Sequence, residues 1–188
     1  MLELRFHGRG GQGAVLAAEL LAQAAFLEGK QVQSFPFFGV ERRGAPVAAF
    51  SRIDERPIPV RTNVTAPDVV VVLDPSLIRA VNVTGGLKAD GLLLVNTHRA
   101  PEELATVFGG GIATVDATAI ALAHGLGSRA QPIVNTAILG ALAKASGIVS
   151  LDSLIRTIER FVPAKREENR AAAVDAANGV RLLQKVVA

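Results

Sequence analysis

Residues 2–27 of this 188-residue chain read LELRFH, then GRGGQG, then AVLAAELLAQAAFL. The first piece alternates Leu2, Leu4 and Phe6 with polar neighbours, the period of a half-buried strand. The third is apolar around most of its circumference, with Glu19 and Gln23 almost its only polar stripe, which predicts a helix buried against a sheet or another subunit. Between them Gly8, Gly10 and Gly13 stand at G-x-G-x-x-G spacing. Glycines there allow a tight turn, and the helix after them offers unpaired N–H groups to an anion. Strand, glycine turn and buried helix in that order commit the chain to a layered α/β architecture.

The rest of the chain keeps to that plan. Gln31–Phe35 and residues 47–53, VAAFSRI, are predicted strands. PDVVVVLD at 67–74 and GLLLVNT at 91–97 lack alternation and are flanked by turn residues, as in strands buried on both faces of a parallel sheet. PSLIRAVNVTGG between them fits a short crossover helix, and ATVDA at 113–117 a further strand. The last third is helical. One helix covers 135–146 and stops at Gly147; Ser150 caps the next, with Leu151, Leu154, Ile155, Ile158, Phe161 and Val162 on one face. Pro163 separates it from a final helix running from about Lys165 into the C-terminal valines. The expectation is one domain over residues 1–188, a three-layer α/β/α fold with a Rossmann-like, mostly parallel sheet and a helical C-terminal third.

Composition removes several kinds of chemistry. With no cysteine, this chain supplies no thiolate nucleophile, disulfide or cysteine-ligated iron–sulfur centre. Its 20 Lys and Arg give a net charge of +3 but form no dense block and have no Trp or Tyr beside them, so no nucleic-acid partner is expected. Arg5, His7 and Arg9 interrupt the N-terminus before a signal-peptide core could form, and no apolar run could span a bilayer, so a soluble cytoplasmic protein without a membrane partner is expected. His7, His98 and His124 are scattered and read as structural or surface residues.

A dinucleotide site would also need an acid at the end of the second strand to hold the ribose. That strand runs instead into Ser34, Phe35, Pro36 and Phe37, and the first acid after Glu28 is Glu41. Arg9 and Gln12 still place donors on the glycine turn, so an anionic or polar ligand is expected there. The segment FPFFGVERRGAP is the second unusual feature. Phe35, Phe37 and Phe38 between Pro and Gly would form an apolar patch that a partner covers, while Arg42 or Arg43 could grip a phosphate or carboxylate with its planar fork. Glu41, Arg42 and Arg43 could equally close an interface with paired charges.

Taken together, GRGGQG, FPFFGVERRGAPV, FSRIDERPI, DVVVVLDPSLI and VNTAILGALAKASGIVSLDSLIRTI, with a final helix containing Asn169, closely resemble the gamma subunit of the 2-oxoacid:ferredoxin oxidoreductases, especially the pyruvate and 2-oxoisovalerate types. The resemblance spans nearly the whole chain. It implies a subunit of an enzyme that oxidatively decarboxylates a 2-oxoacid with coenzyme A to acyl-CoA, CO2 and reduced ferredoxin. Thiamine diphosphate, Mg2+ and iron–sulfur clusters then sit on partner alpha, beta and delta subunits, and the gamma chain is associated with coenzyme A. Carried over, Arg9, Gly10, Gly11, Gln12, Gly13, Glu41, Arg42, Arg43, Asn135 and Thr136 are the expected cofactor-binding residues. No catalytic or metal-ligating residue is expected on this chain. Asn135 and Thr136 either cap their helix or offer donors to the same region. Two other readings are a stand-alone NAD(P)-dependent oxidoreductase and a purely structural assembly subunit.

Overall fold

A computed structural model describes residues 1–37 and 44–184. In chain order the strands are β1 (Leu2–Arg9), β2 (Gln31–Pro36), β3 (Pro46–Asp54), β4 (Val69–Val72), β5 (Leu92–Asn96) and β6 (Gly111–Val115). A two-residue pair, β7 (Gly127–Ser128) and β8 (Gln131–Pro132), stands apart, and β9 (Arg181–Leu183) ends the order. The helices are α1 (Ala14–Leu27), α2 (Leu77–Ala80), α3 (Ala117–Ala123), α4 (Asn135–Ser146), α5 (Leu151–Phe161) and α6 (Arg166–Gly179).

Among the described residues the main sheet has seven strands in the order β2-β3-β1-β4-β5-β6-β9. The four central strands β1, β4, β5 and β6 are parallel, as the unbroken runs VVVV and LLLV predict, and both edges are antiparallel. The expected α/β class holds, with one refinement. The crossover β1-α1-β2 leaves a gap of one strand, and β3 returns antiparallel to both neighbours to fill it.

The sheet's two faces differ. Leu4 and Phe6 on β1 share a core with Val69, Val71, Leu94 and Ala113, covered by α1, α4, α5 and α6 through residues such as Leu21, Ile138, Leu154 and Ala173. On the opposite face Val70, Val72, Leu93, Val95 and Ile112 form a smaller core with Leu77, Val83 and Leu104. That core stops at β4. Over β1, β3 and β2 the same face carries Glu3, Arg5, His7, Phe50, Arg52, Gln33 and Phe35, and loops lie there in place of a helix. Arg5 donates to the Val83 and Gly85 carbonyls, and Arg52, only 1% exposed, to those of Val60 and Thr62.

The helical layer rests on small residues. Gly140 on α4 lies so close to α6 that a Cβ there would overlap the Ala173 carbonyl oxygen, and Ala137, Ala141, Ala172 and Ala176 are fully buried. Such contact holds backbones nearer than larger side chains allow. Ser150 does cap α5, its hydroxyl accepting from the Ser153 N–H at 3.1 Å.

Four local expectations need correction. Strand β6 spans Gly111–Val115 rather than 113–117, because Asp116 accepts from the Ala119 N–H and opens helix α3 directly after the strand. The short crossover helix expected after β4 is present as α2, but it ends at Ala80 rather than at Gly85 and Gly86. Helix α6 does not run into the terminal valines: it ends at Gly179, Val180 is extended, and β9 pairs with β6. Phe161, grouped with Leu154 and Ile158 on one face of α5, is not buried with them but 41% exposed beside the Arg160 guanidinium.

Candidate functional site

From the end of β1 the chain leaves over one face of the sheet as α1, and from the end of β4 over the other as α2. A crevice opens where neighbouring strands diverge in this way, at the carboxyl ends of a parallel sheet. Its floor is the glycine turn. Gly8 lies inside β1, where a Cβ would meet that of Ala14 at 3.0 Å, so this position sets how closely strand and helix pack. Gly13, at φ 82°, ψ 31°, forms the N-cap of α1 in a left-handed conformation that a side chain disfavours.

Asn135 lies directly against that glycine; a Cβ on Gly13 would come 2.8 Å from Asn135 Nδ2. The N-termini of α1 and α4, far apart in sequence, therefore open side by side. Among the described residues neither helix has a side-chain cap on its N-cap residue or an acid in its first turn, so no described side chain offers a counter-charge to either positive end. Asn135 is 3% exposed; its Oδ1 accepts from the Thr136 N–H at 2.9 Å, and its Nδ2 makes no hydrogen bond among the described residues. Thr136 faces inward and donates from Oγ1 to Asn169 Oδ1 at 2.7 Å. Asn169 in turn donates to the carbonyls of Ala164 and Lys165, fixing Lys165 at φ 52° as the N-cap of α6. Of the two roles expected for Asn135 and Thr136, capping is thus partial: the N-cap residue is Val134, and Asn135 takes up one first-turn N–H.

Arg9 and Gln12 turn toward β4. Arg9 donates from Nε to Asp74 Oδ2 at 3.0 Å, from Nη2 to Ser76 Oγ at 2.7 Å, and from Nη1 to the Gly44 carbonyl at 2.9 Å. Gln12 accepts the Arg9 N–H at 2.8 Å and donates to Asp74 at 3.3 Å. Gly10 joins the same corner through its N–H to Ala45 and its carbonyl to Gly44. Burial works against the Asp74 carboxylate, but hydrogen bonds from Ser76 and the charge of Arg9 outweigh it and hold its pKa below the ordinary value. Sequence reasoning missed Asp74 and Ser76. The available signal was a carboxylate and a hydroxyl immediately after the buried run VVVVL, where strand ends meet a crevice. Ser76 also lines an adjoining cleft of about 610 Å³ with Arg79, Thr97 and Arg99.

The aromatic segment is only in part a loop. Phe35 on β2 faces Phe50 on β3, ring centres 5.3 Å apart, and Phe37 meets Phe50 edge-on at 6.3 Å while remaining 48% exposed. Phe38, Glu41, Arg42 and Arg43, also expected at the site or interface, lie outside the described residues. His7 is half-buried on the loop-covered face, where burial and the charge of Arg5 push its pKa down to about 4. It accepts from Arg5 Nε at 3.0 Å.

A nicotinamide dinucleotide would bridge β1 and the adjacent second strand. Here β3 intervenes, placing β2 two strand spacings, roughly 10 Å, from β1.

Comparison with known proteins gives a consistent result. Residues 3–179 match the family model described as pyruvate ferredoxin/flavodoxin oxidoreductase. The chain is 58% identical over 182 residues to the pyruvate/ketoisovalerate oxidoreductases common subunit gamma of Thermococcus kodakarensis, covering 95% of this chain and 96% of that one. It is 55% identical over 173 residues to pyruvate synthase subunit PorC of Methanothermobacter marburgensis, covering 92% and 93%. The crystal structure of pyruvate oxidoreductase subunit PORC from Thermotoga maritima superimposes with a TM-score of 0.82 at 41% identity, covering 97% of this chain and 98% of that one. The chain belongs to the pyruvate ferredoxin/flavodoxin oxidoreductase family, as a gamma-type subunit.

Proposed function

We propose that this gamma subunit serves a pyruvate- or 2-oxoisovalerate-type enzyme, supplying the crevice between β1 and β4 as a binding surface for coenzyme A. Its partners are alpha, beta and delta subunits that carry thiamine diphosphate, Mg2+ and iron–sulfur clusters, with ferredoxin as the acceptor. The observation that carries the ligand reading is the pairing, at Gly13 and Asn135, of two helix N-termini whose N-cap residues have no side-chain cap among the described residues. Coenzyme A is polyanionic, and unpaired N–H groups at adjacent helix ends favour negative oxygens without a cationic side chain. Asn135 Nδ2, which has no partner among the described residues, adds a neutral donor to the same opening.

Phe35 and Phe37 on the loop-covered face are the proposed contact with the thiamine-bearing subunits, and the chain works as a single domain in the cytoplasm. No described helix is long and apolar enough to cross a membrane. The stand-alone NAD(P) reading is not favoured, since β3 occupies the place that the second strand of such a site requires.

In the reconstituted complex, Asn135→Ala is expected to raise the KM for coenzyme A on the order of tenfold, the effect of losing one hydrogen bond to a charged group, with the KM for the 2-oxoacid unchanged. Coenzyme A should also slow amide hydrogen exchange in residues 9–16 of the wild-type complex. An unchanged coenzyme A KM together with unchanged exchange would leave a scaffold role alone.

A further inference from the structure

Asp74 gathers four donors on two oxygens: Arg9 Nε and Gln12 Nε2 on Oδ2, and the Ser76 N–H and hydroxyl on Oδ1, at 2.9 and 2.6 Å. Ser76 Oγ also accepts from Arg9 Nη2, so Arg9, Asp74 and Ser76 close a ring of hydrogen bonds. The ring joins three pieces of chain: the end of β1 with its glycine turn, the end of β4, and the start of α2. Through Gln12, which accepts the Arg9 N–H, it also fixes the backbone of the turn that opens α1.

Two features separate this arrangement from an ordinary surface pair. The side chains of Arg9 and Asp74 are 32% and 18% exposed, so the charges are only partly screened by solvent. Arg9 also commits three of its N–H groups inside the chain and is held in the crevice wall, although on sequence grounds it was expected to face the ligand.

We propose that Asp74 is a positioning residue for the anion-binding crevice: it fixes the glycine turn and holds Arg9 in the wall, so that the ligand meets backbone N–H groups already in place. This role rests on the coenzyme A reading of the crevice. Asp74 acts through Arg9, Gln12 and Ser76 and does not itself meet the ligand. As a counter-charge alone it would oppose an anion, and its removal would then tighten binding. As a positioning group its removal weakens binding even though a negative charge is lost. The two roles predict opposite signs.

Asp74→Asn is the decisive variant. The amide keeps one accepting oxygen but turns a donor toward either the Arg9–Gln12 side or Ser76, so half the ring is lost without change in size. In the reconstituted complex, Asp74→Asn is expected to raise the coenzyme A KM on the order of tenfold and to lower kcat by less. Amide exchange in residues 9–16, measured without coenzyme A, should accelerate. Ser76→Ala, which keeps both charges, should shift both quantities in the same direction by a smaller factor, and Asp74→Glu should recover part of the loss. A coenzyme A KM that falls or stays level in Asp74→Asn, or exchange in 9–16 that does not change, overturns the proposal. The coenzyme A reading fails separately, through an Asn135→Ala complex whose coenzyme A KM equals that of the wild type together with wild-type exchange in 9–16 that coenzyme A leaves unchanged.

Discussion

The two faces of the sheet solve the same burial problem in opposite ways. Under α1, α4, α5 and α6 the chain packs alanines, leucines and one essential glycine, with few buried polar residues among those described: Ser51, Asn135, Thr136, Ser153, Thr157 and Asn169. On the other side, over β1, β3 and β2, it buries an arginine, stacks three phenylalanines and leaves one of them half in solvent. The first face is what a monomeric fold needs, and its tolerance is set by volume. The second carries charges that require specific acceptors, an arrangement that costs desolvation and suits a surface where something else docks.

The largest effect is expected on the helical face. Gly140→Ala should destabilise the subunit by about 3 kcal/mol or more, because the added methyl meets Ala173 backbone rather than a side chain that can rotate away; thermal unfolding checks it. On the other face Arg52→Met keeps the volume but strands Glu3, now 2.8 Å from Arg52 Nε, and the Thr62 carbonyl. A loss of about 2–3 kcal/mol in denaturant unfolding is expected. An equal cost for Arg52→Met and Gly140→Ala would blur the contrast between a face governed by volume and one governed by charge.

Acid should open the faces in sequence. His7 has its pKa lowered from 6.5 to about 4, so the unfolded chain takes up a proton first, and stability present above pH 6.5 is lost as pH falls toward 4. Glu28 ties the end of α1 to α5. Burial opposes its ionisation, but the Ser150 N–H at 2.7 Å, Lys30 and the serine hydroxyls lower its pKa from 4.5 to about 2. That contribution is present above pH 4.5 and fades only as pH falls toward 2. Hydrogen exchange along a pH series should therefore show β1 and β3 loosening before the α1–α5 junction, and His7→Gln should remove the earlier step.

The smallest stability change separates the faces by function. Phe37→Ser and Phe26→Ser both remove half-exposed rings, 48% and 59% accessible, and each should alter unfolding by about 1 kcal/mol or less. Only Phe37→Ser is expected to weaken co-purification with the partner subunits. Equal assembly by both variants would remove the partner role from the loop-covered face.

The fold is legible where local signals coincide. Gly13 and Gly29 bound α1 and Gly147 ends α4, and both helices occupy the expected residues. Helix α3 is hidden in the sequence because ATAIALA comes directly after a strand, and its start depends on one Asp116 side chain. The site is legible in half. The glycine turn and Asn135 stand out separately, but nothing local states that Asn135 packs on Gly13. Asp74 and Ser76 lie more than sixty residues from Arg9, and their role exists only once β4 is beside β1. Arg9 shows the limit most clearly, since its acceptors Asp74, Ser76 and the Gly44 carbonyl lie far from it in sequence.

The placement of β3 between β1 and β2 also orders events during folding. After β1, α1 and β2 have been synthesised, the two strands have no ladder to share, because the position between them is vacant until residue 46 and beyond arrive. The glycine turn likewise has no Gly44 or Ala45 to pair with before that point. The first half of the crevice therefore matures only when the chain has passed through FPFFGVERRGAP, so the arrival of β3 couples completion of the sheet edge to completion of the turn.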